Sequence, residues 1–315
     1  MESCRVCPEW CINTPCLIGG MPEMSLRLIG NSLMKTKLKG MIMLCRPLNT
    51  FMFWISVWIG AWLEGGQTML QASSGLSVLG AACSATAIGA GSNAINDYFD
   101  IEIDRINRPN RPLPSGVLSR QEAWWIWATL SFFGMGMAVI VSVMHLFIAV
   151  ICVGLLYAYS RWFKKMPFWG NLMVAGIGSL GIGYGALIMG GVQRVAWALL
   201  FAFWATLARE LVKDIQDMPG DQVVGARTLP IVWGELPTRI LASFCIGITV
   251  LITPLPYLWA QYNGIYLMII GLTNAVFIYA AYVLAQQEEQ QTARTSSLLK
   301  GGTMLGMLAL ATQPF

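Results

Sequence analysis

The chain has 315 residues, of which 56% are hydrophobic and only 11% charged, and its formal net charge is +4. Soluble domains carry about 25% charged residues, so this composition excludes an ordinary soluble fold and points to a polytopic membrane protein. The small positive balance is explained by where the basic residues lie, and no nucleic-acid partner is expected.

Residues 1–40 are expected to form a disordered leader. They hold Cys4, Cys7, Cys11 and Cys16 in a spacing that matches no recognised metal pattern, and they lack the apolar stretch of a cleavable signal peptide. Beyond the leader, a membrane-crossing helix needs about 20 mostly apolar residues. On that template the apolar runs predict spans at 42–63, 75–95, 123–143, 147–159, 168–189, 195–211, 240–260, 265–285 and 298–312. Cytoplasmic connections concentrate Lys and Arg. With nine spans and a cytoplasmic N-terminus, every basic residue except Arg194 falls on that side. Cys45, Cys83, Cys152 and Cys245 lie in or beside spans, where cysteine packs as a small apolar residue.

Charge is concentrated after the second predicted span, in NAINDYFDIEIDRINRPNRPLPSG, Asn93 to Gly116. Placed on one helix, Asn93, Asp97, Asp100 and Asp104 share a face within about 60° of arc. Two carboxylates a turn apart repel by about 3 kcal/mol at 6 Å and an effective dielectric near 20, so the stripe calls for a cation. The spacing recurs after the sixth predicted span in ARELVKDIQDMPGDQVVGARTLP, where Asp214, Asp217 and Asp221 follow Asp97, Asp100 and Asp104 at an offset of 117 residues. Glu210 then stands where the first copy has Asn93, and Lys213 where it has Asn96. Such self-similarity suggests a weak internal duplication. In the second copy Pro219 and Gly220 are expected to end the helix and leave Asp221 in a loop.

Six carboxylates without His or thiolate partners are hard oxygen ligands, suited to Mg²⁺. Mg²⁺ held by few carboxylates takes further ligands from water and substrate phosphates. Basic side chains that would orient such a substrate stand on the same side: Lys213 within the second cluster, Arg108 and Arg111 after the first, and Arg161 and Lys164 with Tyr157 in YAYSRWFKK. Topology alone also accounts for Arg108, Lys164 and Lys165. A phosphate site opening into an apolar bundle fits a substrate with a charged head and a hydrocarbon tail, and a prenyl diphosphate has both.

At these residues the sequence resembles the UbiA superfamily of intramembrane prenyltransferases. NDYFDIEID at 96–104 matches that family's N-D-x-x-D-x-x-x-D motif, NRPLPSG at 110–116 its following segment, and KDIQDMPGD at 213–221 its second Asp-rich motif. The resemblance runs from Arg46 onward and leaves the leader outside, so residues 41–315 are taken as the enzyme domain. It implies an all-α bundle of nine membrane helices around a central cavity, with cytoplasmic caps carrying two Mg²⁺ ions. It implies as metal ligands Asn96, Asp97, Asp100, Asp104, Asp214, Asp217 and Asp221. Ionisation of the prenyl diphosphate would give an allylic cation, shielded from water by apolar walls and attacked by an acceptor. Tyr157 takes the family's Y-x-x-x-K position, with Arg161 where Lys is usual.

For the acceptor, ARELVKDIQDMPGD with GARTLP is most similar to the archaeal-type branch that moves a geranylgeranyl group onto geranylgeranylglyceryl phosphate. The homogentisate branch shares KDIxDxxGD, so an aromatic acceptor is the alternative. Arg46 and Asn49, at the mouth of the first span, suit a phosphate or a carboxylate equally. A transporter should show charges near mid-bilayer, which these spans lack, and a cyclase would need no acceptor. No obligate protein partner is expected. His145, the one histidine, lies on a short turn away from both clusters and is expected to be incidental. Tyr98, Tyr184 and Trp204 are candidates to face the cation, and Asn171 either reaches the cavity or caps a helix.

Overall fold

The computed structural model describes residues 23–313 except 260–261 and 287–288, and among them it is helical throughout with no strand. The cysteines of the leader lie outside the described residues. Residues 23–40 of the expected leader are helical: α1 runs Glu23–Cys45, and Lys37 pairs with Glu122 at 2.7 Å.

The long helices that follow are α2 (Pro47–Gly65), α3 (Ala72–Phe99), α5 (Arg120–Val141), α6 (Val143–Arg161), α7 (Trp169–Ala186), α8 (Ala196–Val223), α10 (Glu235–Ile252), α12 (Gly264–Ala285) and α13 (Glu289–Ala311). Short helices α4 (Ile101–Asn107), α9 (Leu229–Val232) and α11 (Leu255–Trp259) lie between them. Each predicted apolar run thus coincides with a long helix. Among the described residues, six helices are long and apolar enough to cross a membrane, and the bent pair α1–α2 makes a seventh candidate. The apolar stretches of α8 and α13 are interrupted by Arg209, Glu210 and Lys213, and by Arg294 and Lys300, which lowers their hydropathy.

Local chemistry sets the helix ends. Ser119 and Glu122 exchange hydrogen bonds in a capping box at α5, and Asn263 accepts from the Tyr266 amide at 2.8 Å to start α12. Between α1 and α2 the axis turns by 47° at Arg46, which has a left-handed backbone (φ 52°) and is followed by Pro47. That bend turns the Arg46 side chain toward α3.

Helix α8 packs against α7, α10 and α13, and α2 against α3 and α7. The α2–α7 contact is close: a Cβ on Gly60 would lie 1.8 Å from the Ile182 carbonyl oxygen, and one on Gly185 1.9 Å from that of Val57. Small residues that admit backbone contact are a membrane-helix device. On the outer faces of α5 and α6, Phe132, Phe133, Ile140, Val143 and Phe147 are exposed, as lipid-facing residues would be. Between α2, α3, α6, α7, α8 and α13 lies a central cavity.

Candidate active site

Except for α7, whose lining starts at Val174, the helices around the cavity present polar residues at the end bearing the aspartates and apolar ones further in. On α2 the lining runs from Asn49 through Met52 and Phe53 to Ser56, and on α3 from Asn96 and Asn93 through Ile88 to Ser84. At 1.5 Å per residue the stretch from Asn96 to Ser84 is about 18 Å long. The inner end is closed by a bonded group. Ser84 Oγ lies 3.1 Å from the Tyr184 hydroxyl, and His145 joins the Tyr184 carbonyl at 3.0 Å and Ser142 at 2.8 Å. His145 is therefore buried and bonded there, away from the aspartates.

The first aspartate stripe is not on one helix. α3 ends at Phe99, Asp100 leaves helical geometry (φ −91°, ψ 4°), and α4 restarts at Ile101. Asn93 is turned aside and donates to the Cys45 carbonyl at 3.1 Å. The second stripe is the continuous one: α8 runs through Pro219 and Gly220, so Asp214, Asp217 and Asp221 are all helical. The expected helix end there is wrong for a tertiary reason. Asn107, at the end of α4, donates to the Asp217 carbonyl at 2.9 Å and accepts from the Gly220 amide at 3.1 Å, bonding the backbone where proline disturbs it. Gly220 also admits α4, since a Cβ there would meet Asn107 Nδ2 at 2.6 Å and the Ile103 carbonyl oxygen at 2.9 Å.

The two clusters face each other across shared cations. Arg108 lies 2.6 Å from Asp217 and 3.6 Å from Asp104, Arg111 2.6 Å from Asp104 and 3.3 Å from Asp97, and Arg46 contacts Asp97. Lys164 pairs with Asp100, which also accepts from Asn96 at 2.7 Å, and Asn171 donates to Asp214 at 2.8 Å. Asp97, Asp100, Asp104, Asp217 and Asp221 are all buried.

Electrostatics follow from this packing. Beyond the apolar run that ends at Leu211, burial pushes Asp214 up to about 7 and Asp221 up to about 6. Burial also raises Asp104, against the pull of Arg111. For Asp217 burial acts in the same direction, but Arg108 and Lys164 overcome it and hold the carboxyl below its usual range. Lys164 is raised, the attraction of Asp100 and Asp217 outweighing its burial.

Among the described residues no three His, Cys, Asp or Glu side chains converge on one point as a metal site, because basic side chains stand between the carboxylates. The donor set nonetheless fits a divalent cation. The oxygens are hard, and Asp104 Oδ1 and Asp217 Oδ1 are buried and accept no well-directed hydrogen bond, meeting Arg108 only as ion pairs. Asp214 and Asp221 are carboxylates whose ionised form burial penalises, which a nearby cation would restore.

Of the other expected residues, Arg46, Asn49, Asn93, Asn96, Glu210 and Lys213 line the cavity. Tyr157 and Arg161 do not. Tyr157 packs among Phe99, Trp127 and Trp162, and exposed Arg161 lies over the Phe99 ring at 5.5 Å. Tyr159 lines the cavity instead, in the electrostatic field of Glu210, Asp214 and Asp100. Tyr184 also lines it, whereas Trp204 packs in the core beside Phe203 and Tyr98 lies under Arg120. Arg209 and Lys300 line the mouth as well. In the sequence, topology alone accounts for those two.

A model of the UbiA prenyltransferase family matches residues 53–302. Digeranylgeranylglyceryl phosphate synthase of Methanopyrus kandleri is 38% identical over 267 residues, covering 84% of this chain and 96% of that protein. The solved structure of a digeranylgeranylglyceryl phosphate synthase superposes with a TM-score of 0.68 at 31% identity, over 88% of this chain and 98% of the other. A UbiA homologue from Archaeoglobus fulgidus bound to GPP and Mg²⁺ shares the fold, with a TM-score of 0.64 at 19% identity, over 87% of this chain and all of that one.

Proposed function

Because the chain belongs to the UbiA prenyltransferase family, we propose that it transfers a geranylgeranyl group from its diphosphate to the hydroxyl of geranylgeranylglyceryl phosphate. The observation that carries this is the cavity, cationic and amide-lined at the mouth and apolar within, opening beside two aspartate clusters that share Arg108. The name shared by relatives at 34–38% identity supports the lipid acceptor over a phenol such as homogentisate.

Two Mg²⁺ ions are assigned to the two clusters, with Asn96, Asp97, Asp100 and Asp104 holding one side and Asp214, Asp217 and Asp221 the other. When bound, the metal supplies Lewis-acid compensation for charge on the diphosphate. The protein's own residues bind and orient. Lys213 and Lys164 reach the diphosphate, and Arg108 and Arg111 exchange carboxylate contacts for phosphate contacts as it enters. The prenyl chain lies along Met52, Phe53, Ile88 and Ile177, which exclude water from the allylic cation left when the C–O bond breaks. The electron pair of that bond leaves with the diphosphate, the acceptor hydroxyl oxygen attacks the cation, and the hydroxyl proton passes to the released diphosphate. Tyr159 presents an aromatic face at the polar end, where positive charge develops.

Nine spans with a cytoplasmic N-terminus, and the Asp-rich segments as cytoplasmic caps, complete the proposal. A helix at each of the nine apolar runs and the one-sided distribution of Lys and Arg support it. Purified protein in detergent, given geranylgeranyl diphosphate, Mg²⁺ and a panel of acceptors, should alkylate geranylgeranylglyceryl phosphate. Alkylation of phenols alone would overturn the lipid assignment, and turnover without any acceptor would indicate a cyclase.

A further inference from the structure

The cavity mouth also carries cations that form no ion pair with an aspartate: Arg209, Lys213 and Lys300. Four cationic side chains line the cavity, Arg46, Arg209, Lys213 and Lys300, and Glu210 is the one carboxylate lining it among the described residues. Glu210 lies between Lys213 at 3.1 Å and Arg209 at 3.3 Å, and Arg46 is committed to Asp97. Lys300 reaches in from α13 and donates to Asn49 Oδ1 of α2 at 2.5 Å. It has no carboxylate at ion-pair distance among the described residues, and the charges that act on it are the like charges Arg209 and Arg46. Arg209 keeps a buried Nε with no hydrogen-bond partner.

Like charges gathered at one corner repel each other, and a buried unbonded donor adds a further cost. An anion held between α8, α13 and α2 removes both. We propose that Arg209, Lys300 and Asn49 form the seat for the phosphate monoester of the acceptor lipid, separate from the diphosphate seat at the aspartates. This rests on the lipid-acceptor reading above. A second diphosphate does not suit the corner, because no aspartate lines it to share a divalent metal with the ligand. A dianionic monoester matches two cations and an amide. Below the corner, Thr303 and Met307 of α13 and Phe201 of α8 continue the cavity wall, giving the lipid's own hydrocarbon chain a largely apolar path. The glycerol hydroxyl, held near that phosphate, then stays at the mouth where the prenyl cation forms.

The test uses the full chain in detergent, with geranylgeranyl diphosphate as donor and geranylgeranylglyceryl phosphate or dephosphorylated geranylgeranylglycerol as acceptor. Lys300→Met and Arg209→Met should each raise KM for the phosphorylated acceptor by about 10- to 100-fold, the value of a charged hydrogen bond. KM for the diphosphate should stay within about twofold, and the preference over the dephosphorylated acceptor should collapse. Lys300→Arg should retain it. Equilibrium binding of geranylgeranylglyceryl phosphate in EDTA, which reports on the seat without catalysis, should weaken in parallel. Asn49→Leu, on a third helix, carries the same test if a charge variant fails to fold. A rise in KM for the diphosphate instead, or an unchanged preference between the two acceptors, overturns the seat while the lipid reading stands. Wild-type protein that accepts no glyceryl phosphate lipid overturns the lipid reading and the seat with it.

Discussion

The first aspartate cluster straddles a helix break at Asp100, whereas the second, with the same spacing, rides an unbroken α8 through Pro219. Their surroundings differ as much as their backbones. Arg46, Arg111 and Lys164 reach into the first, while the second has Arg108, borrowed from the end of α4, and the amide of Asn171 on Asp214. The break sends α4 across α8, and this brings Arg108 and Asn107 onto the second cluster. A regular first stripe would have kept them apart. Irregularity in one copy thus positions the cations of the other, and duplicated spacing does not entail duplicated structure.

The largest effect should come from removing one carboxylate charge in each copy. Asp100→Asn and Asp217→Asn are each expected to lower kcat/KM by about 10²- to 10³-fold, the scale of losing one preorganised electrostatic contact to the reacting group. EDTA should abolish turnover in the unmodified protein, with Mg²⁺ restoring it. Steady-state kinetics at saturating metal would check the pair. Full activity in Asp100→Asn together with loss in Asp217→Asn would break the comparison, leaving one metal-binding copy and one structural copy.

An intermediate effect belongs to the join between the copies. Asn107→Ala removes two hydrogen bonds to the α8 backbone, one on each side of Pro219. At about 0.5–1.5 kcal/mol net per bond this should cost about 1–3 kcal/mol of stability, read as a lower thermal midpoint in detergent. Activity should fall further than stability alone explains, because Arg108 follows Asn107 directly. If Asn107→Ala melts and turns over like the unmodified protein, α8 holds its helix past Pro219 unaided.

Much of this arrangement is readable in the sequence, and the unread part has a common cause. Apolar runs set the long helices because backbone polar groups in lipid must be bonded within the segment. The repeated Asp spacing and the one-sided cations single out residues that the structure brings together through Arg108. Nothing in Phe99-Asp100-Ile101 marks a break, since no glycine or proline stands there. Conversely Pro219-Gly220 reads as a helix end, and only Asn107, more than a hundred residues earlier, reverses that. Lys300 and Arg209 are masked by topology, because a cytoplasmic-side cation looks the same in sequence whether it faces solvent or a cavity. Each missed feature depends on contacts between distant segments.

The smallest expected effect concerns the tyrosine and arginine that the family pattern singled out. Y-x-x-x-K places Tyr157 and Arg161 at the diphosphate, yet Arg161 is exposed over Phe99 and Tyr157 packs against Phe99, Trp127 and Trp162. Two residues along α6 from Tyr157, a rotation of about 200°, Tyr159 faces the cavity instead. Lys164, three positions beyond Arg161, is the cation that reaches Asp100. Arg161→Gln should therefore leave kcat/KM within about twofold and cost about 0.5–1 kcal/mol of stability, the value of an exposed cation–π contact. Lys164→Gln, which strips the first cluster of a buried cation, should cost far more activity. Comparing the two variants side by side decides which cation of this loop serves the first cluster: a severe loss in Arg161→Gln with a mild one in Lys164→Gln would mean that Arg161 turns inward to meet the substrate, and the assignment of cations to the two clusters would have to be redrawn.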